Sequence, residues 1–229
     1  GQGQLLQLLN LGGNLAKLAA DGGKPLEILV LRVLVEHPKL QLIVVPLLAQ
    51  LRQPGKLLAP QVYIGTGFGN AMCINGKLYA GKNGAAGELG HIPLYDVDEE
   101  CTCGNIGCSE TRCSGKRLEY LAEKYFPDVP IREVFKYHGD SPIILKFVKD
   151  LAIPIATEIN ILDPDYSIIA GGVTFMEGFP KDVLLEAVHE KARKPYPEEN
   201  LEIMFTEHDQ QSGIYGSGIY AHQMLKNII

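Results

Sequence analysis

Four residues of types that commonly bind metal ions lie close together in the sequence of this 229-residue chain. They are His91, Cys101, Cys103 and Cys108, spaced H-x9-C-x-C-x4-C. Three thiolates and one imidazole form the ligand set of a closed tetrahedral zinc site, and Gly104 and Gly107 allow the loop between the last two cysteines to fold tightly. The alternative is a group of buried free thiols beside an unrelated histidine. The density of ligands favours a structural zinc ion.

Two glycine-rich segments have the composition of phosphate-binding turns. Gly65-Thr66-Gly67 lies between two predicted strands, and Gly171-Gly172 directly follows an apolar strand. Closely spaced glycines allow backbone N–H groups to converge on an anion, and Thr66 adds a hydroxyl donor. Glycines at a strand end also allow a ligand to approach the backbone. Taken alone, the first segment is more typical of an ordinary turn, and the second is equally typical of a strand end followed by a loose loop.

Two glutamates flank the cysteine cluster. Glu88 lies three residues before His91, and Glu110 lies two residues after Cys108. If zinc fixes this segment, both carboxylates are held in one place, where they can accept hydrogen bonds from a polyhydroxylated ligand. Without the metal they are ordinary surface glutamates.

The elements that must position these residues alternate between strands and helices. Strands are predicted at 61–64, 70–74, 77–80, 166–170 and 201–206. Helices are predicted at 116–126, 131–137, 143–161, 180–194 and 214–226. Asn75-Gly76 is typical of a hairpin turn, and Pro154 is expected to kink the third helix. The alternation predicts an α/β layered fold.

Composition changes near residue 60. Residues 1–60 contain 18 leucines and no aromatic residue, whereas residues 61–229 contain 12 leucines and 17 aromatic residues. The first segment has six basic and three acidic residues, and the second has 15 basic and 24 acidic residues. Such a shift predicts a boundary between an atypical N-terminal segment, 1–60, and a main domain, 61–229.

Charge and hydropathy exclude several classes of protein. The net charge of −6 argues against non-specific nucleic-acid binding and against binding to a membrane surface. Apolar runs are too short for a transmembrane helix, and the N-terminus does not resemble a secretion signal. We therefore expect a cytoplasmic protein with reduced cysteines, in which Cys73 and Cys113 are packing residues.

Several of these motifs resemble the signature of the ROK family of bacterial sugar kinases and repressors. The resemblance covers residues 61–226 and includes Gly87-Glu-Leu-Gly-His91 and the segment from Cys101 to Glu110. Both glycine turns occur in family order. Shorter matches, at 113–115, 161–165, 179–180 and 212–213, are most similar to D-allose kinases.

The resemblance implies an actin/hexokinase-like (ribonuclease H-like) fold of two α/β domains, with sugar and ATP in the cleft between them. It implies that Gly65, Thr66 and Gly67 bind phosphate, that Gly171 and Gly172 bind adenosine, and that Glu88, His91 and Glu110 hold sugar hydroxyls. His91 would use one ring nitrogen for zinc and the other for sugar. The implied reaction is transfer of the γ-phosphoryl group of Mg²⁺-ATP to a hexose, D-allose or a related sugar at O6, by a homodimer.

The chain departs from the family before residue 61. Family kinases carry an Asp-x-Gly-Gly-Thr loop, and an aspartate general base some distance before the glycine turn. Here Asp21 is the only aspartate before Asp96, and Asp21-Gly-Gly-Lys24 matches that loop poorly. The catalytic base is therefore unknown, and we expect residues 1–60 to be a shortened, replaced, engineered or imperfectly recorded N-terminal domain. A ROK-type sugar-sensing repressor and a catalytically impaired sugar-binding scaffold are the alternatives.

Overall fold

Five strands form one mixed sheet in the part of the chain that the structure describes. The structure is a computed structural model, and it describes residues 58–75 and 77–206. The strands are β1 (Leu58–Ile64), β2 (Phe68–Ile74), β3 (Lys77–Leu78), β4 (Ser167–Ala170) and β5 (Ile203–Phe205). Their order across the sheet is β3-β2-β1-β4-β5. β1 pairs in parallel with β4 and β4 with β5, whereas the β1–β2 and β2–β3 pairs are antiparallel.

Five α-helices accompany the sheet within the described residues. They are α1 (Glu110–Cys113), α2 (Gly115–Tyr125), α3 (Val134–His138), α4 (Pro142–Leu162) and α5 (Lys181–Lys191), with 3₁₀ turns at Leu89–His91, Ile131–Glu133 and Glu198–Asn200. Serine side chains cap α2 and α4. Ser114 Oγ accepts from Arg117 N–H at the start of α2, and Ser141 Oγ accepts from Ile143 N–H at the start of α4. No helix among the described residues is long and apolar enough to cross a lipid bilayer.

The predicted α/β elements are confirmed wherever the structure describes them, with shifted ends. β3 stops at Leu78, two residues before the predicted end. α5 stops at Lys191 because Ala192 is extended and prolines follow at 195 and 197. Pro154, which we expected to kink a helix, lies inside α4, and α4 continues through it to Leu162. Most of the N-terminal segment 1–60, the Gly76 position of the hairpin turn and the helix predicted at 214–226 lie outside the described residues.

The core lies between one face of the sheet and α4. Val62 and Ile64 of β1, with Phe68 of β2 and Ile169 of β4, belong to the same buried cluster as the apolar stripe of α4. That stripe repeats at helical spacing and consists of Ile144, Phe147, Val148, Leu151, Ala152, Ile155, Ala156 and Ile159. α5 packs against α4, and its buried residues belong to the same cluster. This core holds the ends of β1 and β4 in place, and the glycine turns follow directly from those ends.

Candidate functional site

The four predicted metal ligands come together. The ligand atoms of His91, Cys101, Cys103 and Cys108 all lie within 4.8 Å of one another. His91 Nδ1 is 3.6 Å from Cys101 Sγ, and Cys103 Sγ is 3.6 Å from Cys108 Sγ. In a tetrahedral site with Zn–S near 2.3 Å and Zn–N near 2.0 Å, neighbouring ligand atoms are about 3.5–3.8 Å apart. The donor set and its spacing therefore fit a zinc ion.

Two glycines shape the loop that carries the thiols. Cys101 N–H donates to Asn105 O at 2.8 Å, and Gly104 N–H donates to Cys101 O at 2.9 Å, which closes a tight turn. Gly104 and Gly107 both have positive φ, 91° and 82°. A Cβ atom at Gly107 would lie 2.7 Å from Val97 O. Only glycine fits these positions without strain, as the sequence predicts.

The thiols of the cluster differ in acidity. Burial and the neighbouring thiols raise the pKa of Cys108 to about 12. A backbone hydrogen bond from Asn105 lowers the pKa of the exposed Cys103 thiol. Because a bound zinc ion deprotonates the thiols that ligate it, metal binding at this cluster must release protons.

The segment that carries Glu88 and His91 lies directly on β2. A Cβ atom at Gly87, where φ is 83°, would lie 2.6 Å from Asn70 O, and a Cβ atom at Gly90 would overlap Phe68 O. Both glycines are therefore required by close backbone packing. This contact fixes the 3₁₀ turn Leu89–His91 against the strand that leaves the first glycine turn.

The two ring nitrogens of His91 face different groups. Nδ1 faces Cys101 Sγ in the cluster, and Nε2 is 3.4 Å from Glu88 Oε2. A metal ion on Nδ1 would fix the tautomer and leave Nε2–H as a donor on the Glu88 side. Glu88 is half exposed, so its carboxylate is open to a ligand from solvent.

Glu110 links the cysteine loop to the first glycine turn. It is the first residue of α1, and its Oε2 accepts a hydrogen bond from Phe68 N–H at 3.0 Å. A Cβ atom at Gly67 would lie 2.7 Å from the same oxygen. Ser109, the residue before Glu110, donates from Oγ to Leu89 O at 2.7 Å. The carboxylate of Glu110 is therefore anchored beside the glycine turn and beside the Glu88 segment.

The first glycine turn is held by the start of α2. Gly115 N–H donates to Gly65 O at 2.7 Å, and Lys116 N–H donates to Thr66 O at 3.1 Å. Within the described residues, the N–H groups of Thr66 and Gly67 donate to no other group. Thr66 is exposed. Two adjacent N–H groups and a hydroxyl in an exposed turn are suited to binding an anion.

The second glycine turn lies beside the first. β1 and β4 are parallel, so the turns that follow them meet at one edge of the sheet, and Val173 N–H donates to Ile64 O at 3.1 Å. Gly171 has φ 113°, and a Cβ atom there would overlap the backbone of Ile64. Gly172 is exposed and has open space around its Cα. Gly171 therefore serves the packing of this edge, and Gly172 faces solvent.

Two buried polar residues next to this site were not predicted from the sequence. Asn70 of β2 accepts a hydrogen bond from Leu89 N–H and donates one to Glu158 of α4. The available signal was the position of Glu158, which follows Leu151 by seven residues and Ile155 by three, on the apolar stripe of α4. A carboxylate on such a stripe is rarely buried without a partner.

Comparisons with known proteins were made by sequence and by structure. The ROK family model matches residues 58–224. The N-acetyl-D-glucosamine kinase of Histophilus somni is 33% identical over 143 residues, which cover 52% of this chain and 46% of that kinase. The DNA-binding transcriptional dual regulator NagC of Escherichia coli is 29% identical over 184 residues, 74% of this chain and 45% of the regulator. The chain thus spans about half the length of the curated relatives it matches.

Solved structures show the same fold. A ROK hexokinase from Thermus thermophilus superposes with a TM-score of 0.62 at 27% identity, over 76% of this chain and 59% of the hexokinase. A ROK family glucokinase from Streptomyces griseus, solved with glucose and AMPPNP, gives a TM-score of 0.63 at 21% identity, over 74% of this chain and 62% of the glucokinase. These superpositions confirm the predicted actin/hexokinase-like fold. Because the family model covers most of the chain, including both glycine turns and the cysteine cluster, the protein belongs to the ROK family.

Proposed function

We propose that this chain binds a hexose and Mg²⁺-ATP at the edge of the sheet and has the site of an ATP-dependent sugar kinase. The observation that carries the proposal is the hydrogen bond from Phe68 N–H to Glu110 Oε2. It places a carboxylate suited to sugar hydroxyls directly beside an exposed turn suited to phosphate. A phosphoryl donor and a hydroxyl acceptor must meet in this way for direct transfer.

Each predicted site residue has a role in this proposal. The free N–H groups of Thr66 and Gly67 bind the transferred end of the nucleotide, whose charge Mg²⁺ neutralises. Gly171 and Gly172 provide the surface for adenosine. Glu88 and Glu110 accept hydrogen bonds from the sugar hydroxyls, and His91 donates one from Nε2–H. Zinc held by His91, Cys101, Cys103 and Cys108 is structural, since four protein ligands leave it no open position.

No residue of the proposed kinase site is assigned as the base that accepts the proton of the sugar hydroxyl. A positioned base contributes about 10²–10⁴-fold to a reaction of this type. Glu88 and Glu110 are assigned to holding the sugar, and Asp21 is the only aspartate ahead of Asp96. We therefore propose that residues 1–60 do not supply the base of a standard family kinase, and that this chain turns over slowly. Residues 61–229 form the sugar- and nucleotide-binding domain in this assignment.

The sugar is tested by binding and by turnover in parallel. D-allose, or a related hexose phosphorylated at O6, is the substrate proposed from the sequence resemblance. The name of the Histophilus somni relative adds N-acetyl-D-glucosamine, and N-acetylmannosamine is tested beside it. Calorimetry measures the affinity of the chain for these sugars and for D-glucose and D-fructose. Each sugar is titrated with and without Mg²⁺-ATP. A coupled assay for ADP release measures transfer. If none of these sugars binds, the proposal is wrong.

A sugar-sensing repressor is the second candidate function. The NagC regulator matches a larger share of this chain, 74%, than the N-acetyl-D-glucosamine kinase does, 52%. Sugar binding with no ADP release, together with sugar-dependent retention of a DNA duplex, would favour this candidate over the kinase. We also propose a homodimer, which sedimentation equilibrium at several protein concentrations measures directly.

A further inference from the structure

One carboxylate is buried in the core without an assigned role. Glu158 lies on α4, is 5% exposed, and is surrounded in sequence by the apolar stripe of that helix. Burial of a carboxyl group is unfavourable unless a hydrogen-bond partner compensates for the lost water. Its partner therefore indicates why it is tolerated there.

Asn70 is that partner, and it connects α4 to the proposed sugar-binding segment. Asn70 Nδ2 donates to Glu158 Oε1, and Leu89 N–H donates to Asn70 Oδ1 at 3.1 Å. Leu89 stands next to Glu88 and begins the 3₁₀ turn that ends at His91. A continuous path of hydrogen bonds thus runs from α4 through β2 to the turn between the two proposed sugar ligands.

The path also fixes which way the Asn70 amide faces. Its carbonyl oxygen must face Leu89 N–H, because two N–H groups cannot bond each other, so its NH₂ group faces Glu158. A Cβ atom at Gly87 would lie 3.2 Å from Asn70 Oδ1, which shows how closely this segment packs on the amide. Without an acceptor at Glu158, the buried NH₂ group would be unpaired.

We infer that Asn70 and Glu158 are positioning residues for sugar binding, holding the Leu89 backbone so that Glu88 and His91 converge on one ligand. Neither residue touches the sugar; they act through the 3₁₀ turn. The inference rests on the proposed function, since it assigns the sugar ligands to that turn. It does not involve the nucleotide turn at Gly65–Gly67.

The chemistry of Glu158 suggests a conservative replacement. Burial raises its pKa to about 8, against the opposite effect of the Asn70 hydrogen bond. At neutral pH the side chain is therefore largely a neutral acid that accepts a hydrogen bond through its carbonyl oxygen. Glutamine has the same shape and the same acceptor, so Glu158→Gln retains the bond, whereas Glu158→Leu and Asn70→Ala remove it.

The test compares sugar and nucleotide affinity in the full chain. The hexose that binds the parent most tightly serves as the probe. We expect Asn70→Ala and Glu158→Leu to weaken its binding by about tenfold or more, because each variant loses a buried hydrogen bond. Affinity for Mg²⁺-ATP should change by less than about twofold, and zinc content should stay at one equivalent. Glu158→Gln should bind sugar within about threefold of the parent.

Ile159→Ala on the same helix is the matched control, because it removes buried apolar contacts and changes neither Asn70 nor Glu158. If Ile159→Ala weakens sugar binding as much as Glu158→Leu, general destabilisation explains the loss and the inference is overturned. Parent-like sugar affinity in Asn70→Ala also overturns it. Should Glu158→Leu not fold, Glu158→Met removes the acceptor with a more adaptable side chain. A parent that binds no hexose instead overturns the proposed function.

Discussion

The thiol of Cys113 donates a hydrogen bond to the backbone carbonyl of Asp150, 3.4 Å away. Asp150 lies four residues before Pro154, whose missing N–H leaves that carbonyl without its usual helical donor. Cys113 is fully buried, and burial raises the pKa of its thiol, so it remains a donor at neutral pH. The residue that the sequence assigns to packing also donates to a carbonyl that Pro154 leaves without its usual helical donor.

This pairing predicts coupling between Cys113 and Pro154. Cys113→Ala should lower the free energy of unfolding by about 1–3 kcal/mol, since it leaves a buried carbonyl unpaired. In a Pro154→Ala background, residue 154 has an N–H group that can donate to Asp150 O. Cys113→Ala should therefore lower the free energy of unfolding by a smaller amount in that background. Urea unfolding of the four proteins of this double-mutant cycle measures the difference. If Cys113→Ala lowers the free energy of unfolding equally in both backgrounds, the thiol does not compensate for the missing N–H of Pro154.

Zinc binding is expected at one equivalent per chain. Elemental analysis of freshly purified protein measures it, and a value below about half an equivalent would count against the site. Removal of the ion by a chelator should lower Tm strongly, because metal binding is coupled to folding of the loop. Cys108→Ala should lose the metal. Cys113→Ala provides the matched control, because it removes a buried thiol outside the cluster and should retain zinc.

Gly172 is the position at which to test nucleotide binding. Its surroundings are open, so Gly172→Val adds a side chain toward solvent without a backbone clash. We expect at least about a tenfold loss of Mg²⁺-ATP affinity with unchanged zinc content, because the side chain occupies space proposed for adenosine. Substitution of Gly171 is unsuitable, since its φ of 113° and its contact with Ile64 would disturb the sheet edge itself. Parent-like ATP affinity in Gly172→Val would remove the adenosine assignment.

Glu158 makes stability depend on pH. Its folded pKa of about 8 lies above its ordinary value of 4.5, so between these limits the folded state binds a proton that the unfolded state has lost. The contribution of Glu158 to stability is therefore largest below about pH 4.5 and falls as pH rises to about 8, by at most about 1.4 kcal/mol per unit.

Glu158→Gln has no such proton, so the variant should gain stability relative to the parent as pH rises from 5 to 8. Urea unfolding of both proteins at each pH gives this difference, in which the contributions of shared groups cancel. A difference that stays constant over the range would mean that Glu158 titrates normally in the folded protein.

Turnover is expected to be low with every sugar tested. Sugar hydroxyls must lose a proton during phosphoryl transfer, and no residue of this chain matches the base of the family kinases. ADP release in the presence of D-allose, D-glucose or N-acetylmannosamine should stay far below the roughly 10 s⁻¹ of an ordinary enzyme. A rate near that value would prove the missing-base hypothesis wrong.

The cysteine cluster and the glycine turns could be predicted because their signals are local. Cys101, Cys103 and Cys108 lie in one short loop, and the Gly65 turn joins strands that are adjacent in sequence. The bond between Asn70 and Glu158 joins residues 88 positions apart. To predict it, one would need to know which face of β2 meets which face of α4. That choice depends on tertiary packing, which neither segment encodes alone.

The register of β1 with β4 sets the spacing between the two glycine turns. Val62 pairs with Ile169 and Tyr63 with Ala170, so Gly65 and Gly171 follow at fixed heights on the sheet edge. A slip of one residue would move one turn past the other by about 3.3 Å and rotate its apolar side chains out of the core. Buried Val62 and Ile169 oppose that slip. The strand register therefore sets the distance between the two turns that we propose the nucleotide contacts, and the apolar core keeps that distance fixed.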